Sequence, residues 1–118
     1  MIPKFRARDE RGSWHIGLLT FMFGQYAIVN EIDENTVYLI DKETVGQSTG
    51  LRDKNGVEIF EGDIGWDDHQ EVHGQVIFEN GAFKYEWENI SEDLFEVTDD
   101  IEIVGNIYEN PELLEVAE

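Results

Sequence analysis

Two short turn signatures constrain this chain more than any other feature. Asp53-Lys54-Asn55-Gly56 and Asn80-Gly81 each stand between short runs of alternating apolar residues. Asn and Gly tolerate positive φ, which a primed hairpin turn requires at its central residues. Around the first signature, Leu51 precedes the turn, and Val57 and Ile59, two apart, share one face of a strand. Gly62-Asp63 then breaks the run. Gly62 permits a sharp change of direction, and Asp63 is able to hold the bend by accepting backbone N–H groups. Ile64 and Trp66 resume the alternation. A strand, a Gly-Asp bend and a second strand in such close order make a corner of a small β-barrel.

The remaining segments keep the same rhythm. Strands are expected over 4–9, with Phe5 and Ala7 on one face, and over 14–23, with Trp14, Ile16 and Leu18 at spacing two. Gly17 inside the second run marks a bulge or a close backbone approach. Further strands are expected over 26–30, 37–40, 75–79, 83–87 and 101–104, with Phe83, Tyr85 and Trp87 aligned in the 83–87 strand. Residues 67–73 read as a polar loop and 92–97 as a short helical turn. Asn110 and Pro111 have the residue types of an N-cap and a first helical position, and open a short terminal helix. Many short strands separated by turn residues predict an all-β barrel or sandwich.

Charge then bounds what such a fold can meet. The 118 residues carry a formal charge of −19. Leu, Ile, Val and Phe together make up about 30% of the chain, well above the range in which high charge signals disorder. The charge therefore belongs to a folded protein of one domain. It argues against direct nucleic-acid binding, which needs Lys and Arg on phosphates, and against anionic membrane surfaces. It favours encounter with basic partners. The distribution is uneven: four of the eight basic residues lie in the first 11 positions, and 12 acids follow the last one, Lys84.

Chemistry-bearing patterns are sparse. The absence of cysteine excludes disulfides, thiol catalysis and Cys-based zinc sites. The segment from Asp67 to His73 holds His69 and His73 four apart among acids. On a helix these two would share a face and reach one metal, but the segment follows a strand and lacks the Glu that a zinc-protease helix places after its first His. A solvated loop is the expectation, with no metal and no cofactor. No nucleophile elbow, phosphate-binding loop or dinucleotide turn is present, and His15 lies within an apolar run where a structural role is expected. No catalytic residue is assigned, and the chain is not expected to be an enzyme. Most of the aromatics Trp14, Trp66, Tyr85, Trp87 and Tyr108 are expected to be core or half-buried sheet residues; Trp66, Tyr85 and Trp87 are the ones from which a small barrel would build a peptide groove. An edge strand able to pair with a second copy is compatible with homo-oligomers. The N-terminus lacks the apolar stretch of a signal peptide, and no run approaches a membrane span.

Three blocks carry a family resemblance. The central run TGLRDKNGVEIFEGDI resembles the signature of the YopX family, small proteins of phages and prophages of Gram-positive bacteria. Phe5-Arg6-Ala7-Arg8-Asp9 resembles that family's opening block, and Val104-Gly105-Asn106-Ile107-Tyr108 through Leu114 its closing one. Arg8 and Gly65 depart from the residue types usual there. The resemblance implies a mainly β single domain over 1–118: an N-terminal β segment (1–47), an SH3-like small barrel (48–110) and a short C-terminal helix or tail (111–118). Asn55, Gly56, Gly62, Asp63, Gly105 and Asn106 are then the expected structural motif, and Trp66, Tyr85 and Trp87 the interaction surface. The implied setting is the host bacterial cytoplasm. The resemblance implies no specific activity. A non-enzymatic module binding a host or phage protein is the first expectation. An acidic nucleic-acid mimic, occupying a DNA- or RNA-binding protein, is the second.

Overall fold

The computed structural model describes residues 3–115. The chain is mainly β, with antiparallel pairing, as expected, and in keeping with a small barrel-like fold. It divides into two compact units, Met1–Ser48 and Thr49–Glu118. No helix among the described residues is long and apolar enough to cross a membrane.

The first unit is a meander. β1 (Phe5–Arg8), β2 (Trp14–Met22), β3 (Gln25–Asn30) and β4 (Val37–Leu39) lie in the order β4-β3-β2-β1. The first residues of β5 (Gly46–Arg52) pair along the other side of β1, Gln47 opposite Phe5. Ala7, Ile28 and Ile40 form the core, with Phe5, Leu19, Tyr38 and Val45 packed on it. Gly17 marks a close approach and not a bulge. A Cβ there would lie 1.8 Å from the Val29 carbonyl oxygen, so only glycine fits. His15 has the structural role expected of it: its Nε2 lies 2.8 Å from Asp9 Oδ2, and its ring stacks on Tyr38 at 3.6 Å.

The second unit holds the rest of β5, its neighbour β6 (Glu58–Phe60), and a five-stranded sheet. That sheet runs β10-β9-β8-β7-β11, built from β7 (Asp63–Asp67), β8 (Val72–Glu79), β9 (Ala82–Trp87), β10 (Ile90–Asp93) and β11 (Ile101–Asn106). Its core is Ile59, Val76, Tyr85, Leu94, Val97 and Ile101. The two Asn-Gly signatures fold differently. Asn80-Gly81 closes a two-residue hairpin between Glu79 and Ala82, both with positive φ as a primed turn demands. In Asp53–Gly56 only Gly56 is left-handed, at φ 83°, and Asn55 is not. The primed turn expected there is therefore replaced by a wider one. Its cause is Asp53, whose buried carboxylate accepts the N–H groups of Asn55 and Val57 at 2.9 Å and spreads the loop around itself.

Three other expectations change. Residues 90–93 form β10, a strand the sequence reading missed, and the helical turn expected over 92–97 shrinks to a 3₁₀ turn at Leu94–Glu96. His73 belongs to β8 and not to a loop. Asn110 makes no side-chain cap to the terminal 3₁₀ turn Pro111–Leu114. Its Oδ1 instead accepts the Asn106 N–H at 3.3 Å. Part of the 111–118 segment, residues 116–118, lies outside the described residues.

Candidate interaction surface

The motif residues of the second unit are explained by backbone hydrogen bonding. Asp53 is the widest of these hubs, since its second carboxylate oxygen accepts the Ile103 N–H at 2.8 Å and ties β11 to the turn. Asp63, also buried, accepts the Phe60 N–H at 2.7 Å and closes the bend at Gly62, whose φ is 94°. Asn106 Oδ1 accepts from Tyr108 and Glu109, both at 3.0 Å, while the Asn110 N–H returns to the Asn106 carbonyl. Gly105 makes room for this lock: a Cβ there would lie 2.4 Å from Asn110 Oδ1. Each carboxylate or amide is occupied by peptide N–H groups. A buried polar side chain so satisfied supports a fold and has little left for a ligand.

Strand register decides which aromatics reach a surface. Directly paired residues share a face. Trp66 pairs with His73, and their rings meet at 4.7 Å. Gly65 pairs with Gly74 on the opposite face, where Tyr85 lies across both. A Cβ at Gly74 would sit 2.4 Å from the Tyr85 ring. Tyr85 is 1% exposed, so its assignment to an interaction surface is corrected: a cross-strand pair of glycines makes a slot, and the ring fills it as core. Burial, then the negative charge of Asp67, pushes the phenol above its ordinary ionisation range. The gap at Gly65, which departs from the usual family residue type, thus has a packing role. Trp87 stands on the same strand face as Tyr85 but is half-buried, and its Nε1 donates to Glu92 at 3.2 Å. Trp14 lies in the first unit, beneath the guanidinium groups of Arg6 and Arg8 at 5.0 and 5.7 Å.

Of the three aromatics proposed as a surface, Trp87 lines a groove in the second unit. This groove has a volume of about 430 Å³ and runs over the start of β8, the end of β9 and the terminal 3₁₀ turn. Val72, Trp87, Leu113 and Leu114 give it apolar walls; Glu71, Glu86, Glu88 and Glu115 surround them with carboxylates, and His73 and Gln75 complete it. No Lys or Arg lines it. Trp66 reaches it only through its ring contact with His73. The groove draws on three segments far apart in sequence, which is why linear inspection missed Glu71, Glu86 and the two leucines. His69, by contrast, sits in the β7–β8 turn, its N–H donating to Asp67. No group of three or more His, Cys, Asp or Glu residues among the described residues is arranged to hold a metal.

This architecture recurs in a solved structure. The crystal structure of protein EF1440 from Enterococcus faecalis matches with a TM-score of 0.68 and 31% sequence identity, over 98% of this chain and 99% of that one. No curated protein matches the chain. The YopX protein family model matches residues 4–115, which takes in all three sequence blocks. With the match running from the first strand to the terminal turn, the chain belongs to the YopX family.

Proposed function

We propose that this protein is a non-enzymatic protein-binding module, encoded by a phage or prophage and working in the cytoplasm of a Gram-positive host. Its acidic groove takes a basic segment of a host or phage protein. The observation that carries this reading is the pairing of apolar walls with a rim of one sign of charge: Trp87, Val72 and two leucines beside four glutamates, with no Lys or Arg among the lining residues. A Lys or Arg side chain fits both features, its stem on the apolar wall and its head among carboxylates or over the indole face. No cofactor and no direct contact with nucleic acid enter this reading.

The test is a pull-down from host lysate, with and without phage infection, washed across a salt series. A single partner should be retained and should weaken only in part as salt rises, because screening acts on the contacts to the glutamates and little on the Trp87 anchor. Its capture should fall when Trp87 is replaced by Ala. A second reading, the acidic mimic, draws on the second unit's 20 acids against three basic residues. It requires DNA- or RNA-binding proteins that elute steeply with salt and that compete with free nucleic acid. Retention unaffected by Trp87→Ala but abolished by reversing exposed acids outside the groove, Asp99→Lys with Asp100→Lys, would favour the mimic and defeat the groove.

A further inference from the structure

The β2–β3 hairpin carries a feature that turn formation alone does not require. Between Arg11 and Glu31 lie 19 consecutive residues without Lys, Arg, Asp or Glu, in a chain whose charged fraction is 30%. The hairpin turns at Phe23-Gly24, between the paired residues Met22 and Gln25. Both turn residues are left-handed, with φ 52° and 76°. Asn80-Gly81 adopts φ values close to these, 53° and 81°. An Asn tolerates that conformation; a bulky aromatic is an outlier in it. Phe23 nevertheless holds the position with 92% of its surface in water. Backbone strain and exposed apolar area coincide at one residue, and neither favours folding.

Beside the tip, Phe21 and Tyr26 face one another with their rings edge to face at 5.1 Å, both exposed. With Gly24, Ile40, Asp41 and Lys42 they line an open pocket of about 350 Å³. We propose that this hairpin is a self-docking surface: Phe23 of one copy enters the Phe21–Tyr26 pocket of a second copy, which returns the contact. Tip and pocket share one hairpin, Gly24 belonging to both, so a two-fold axis beside the turn satisfies both insertions at once. The pocket has room for a benzyl side chain. Asp41 and Lys42 supply one charge of each sign at its edge. A second copy is favoured over a bilayer because it offers both parts of the contact, an aromatic side chain for the pocket and a pocket for Phe23. Two such molecules approach with least repulsion through an uncharged segment, and this hairpin is one. The surface lies in the first unit, so it stands or falls independently of the acidic groove.

The experiment is sedimentation equilibrium of the full chain, wild type against Phe23→Asn, across protein and salt concentrations. Phe23→Asn restores the Asn-Gly turn already used at Asn80, so loss of folding does not confound it. The wild type should form a dimer that tightens as salt screens the net repulsion, and Phe23→Asn should weaken it about tenfold or more. Phe21→Ala, which removes a pocket wall and leaves the tip in place, should weaken it as well. A wild type that stays monomeric, or a dimer that Phe23→Asn leaves unchanged, would overturn the proposal. So would a monomer that cosediments with neutral or anionic vesicles through Phe23, which would assign the hairpin to a bilayer.

Discussion

The two units solve the same folding problem with different surfaces. The first has five basic residues and seven acids in 48 positions; the second has three basic residues and 20 acids in 70. Exposed large hydrophobic residues run the other way. Leu18, Phe21, Phe23, Tyr26, Ile32, Val37 and Leu39 are exposed in the first unit, against Val57, Phe78, Ile90, Phe95 and Val104 in the larger second. Each unit also has a two-residue hairpin with both turn residues left-handed, one tipped with Phe23 and the other with Asn80. The second unit uses the residue the turn prefers, and the first does not. Folding physics explains Asn80; Phe23 shares its left-handed backbone with Glu71 and Glu88 of the second unit but alone among these adds exposed aromatic area.

Both units rely on glycine where backbones or rings close in, and the two sites should rank differently. Gly17→Ala sets a Cβ 1.8 Å from a carbonyl oxygen, which is backbone and yields little. Gly74→Ala meets the Tyr85 ring at 2.4 Å, and a ring is able to shift. Overpacking of this kind costs roughly 1–3 kcal/mol and sometimes more, so Gly17→Ala is expected near or above the top of that range and Gly74→Ala below it. Urea unfolding of both variants checks the order; equal effects would show that Tyr85 is as immobile as main chain.

Exchanging the hairpin tips comes next in size. Asn80→Phe should destabilise by about 1–2 kcal/mol, and Phe23→Asn should stabilise by a similar amount, because each moves a bulky residue into or out of the left-handed region. Thermal midpoints moving in opposite directions would confirm the contrast. A loss of stability in Phe23→Asn would mean that Phe23 serves the fold.

Tyr85→Phe should change stability by less than about 1 kcal/mol, and in the stabilising direction. The buried hydroxyl has only a weak contact with the Gly74 N–H, so its removal relieves desolvation and gives up little bonding. A large loss on urea unfolding would point to a water-mediated partner.

The smallest effect is electrostatic. Asp9 is held below the ordinary carboxylate value of 3.8, first by its hydrogen bond to His15 and then by the Ser13 N–H. Asp33 is lowered by Thr36, and Asp68 in the second unit by Lys54. A carboxylate depressed on folding contributes stability that is complete above 3.8 and is lost as pH falls through the lower folded value. Asp9→Asn should therefore lower stability by a constant amount above 3.8 and flatten the acid limb below it, so that variant and wild type converge as pH falls. A deficit that appears only below 3.8 and grows as pH falls would contradict the sign.

Much of the fold was legible because local chemistry agreed with it. Asn80-Gly81 reads as a primed turn and is one; Gly62 and Asp63 read as a bend and make one. Legibility failed where a distant partner overrode the local signal. Asp53 reaches from its own turn to Ile103 and reshapes the loop around Asn55, and Asn110 turns back to Asn106 when its sequence suggests a cap. Phe23 reads as the end of the 14–23 strand because Phe is not a turn residue, yet it forms the turn with Gly24. The surface was the least legible part. Alternation correctly placed Tyr85 and Trp87 on one strand face, but whether that face meets core or water depends on the Gly65–Gly74 pair across the sheet. The Asn80-Gly81 hairpin brings Gln75 opposite Glu86, but the groove also requires residues 113–115 to meet them, and no local periodicity encodes that meeting.

The amide lock between Asn106 and Asn110 has a consequence beyond its own loop. It leads directly into Pro111–Leu114, whose last two residues are a wall of the groove. A wall held by amide geometry has little conformational freedom left to lose when something is seated against it. The entropy of ordering then falls mainly on the guest, and affinity depends on how extended and preformed the guest segment already is.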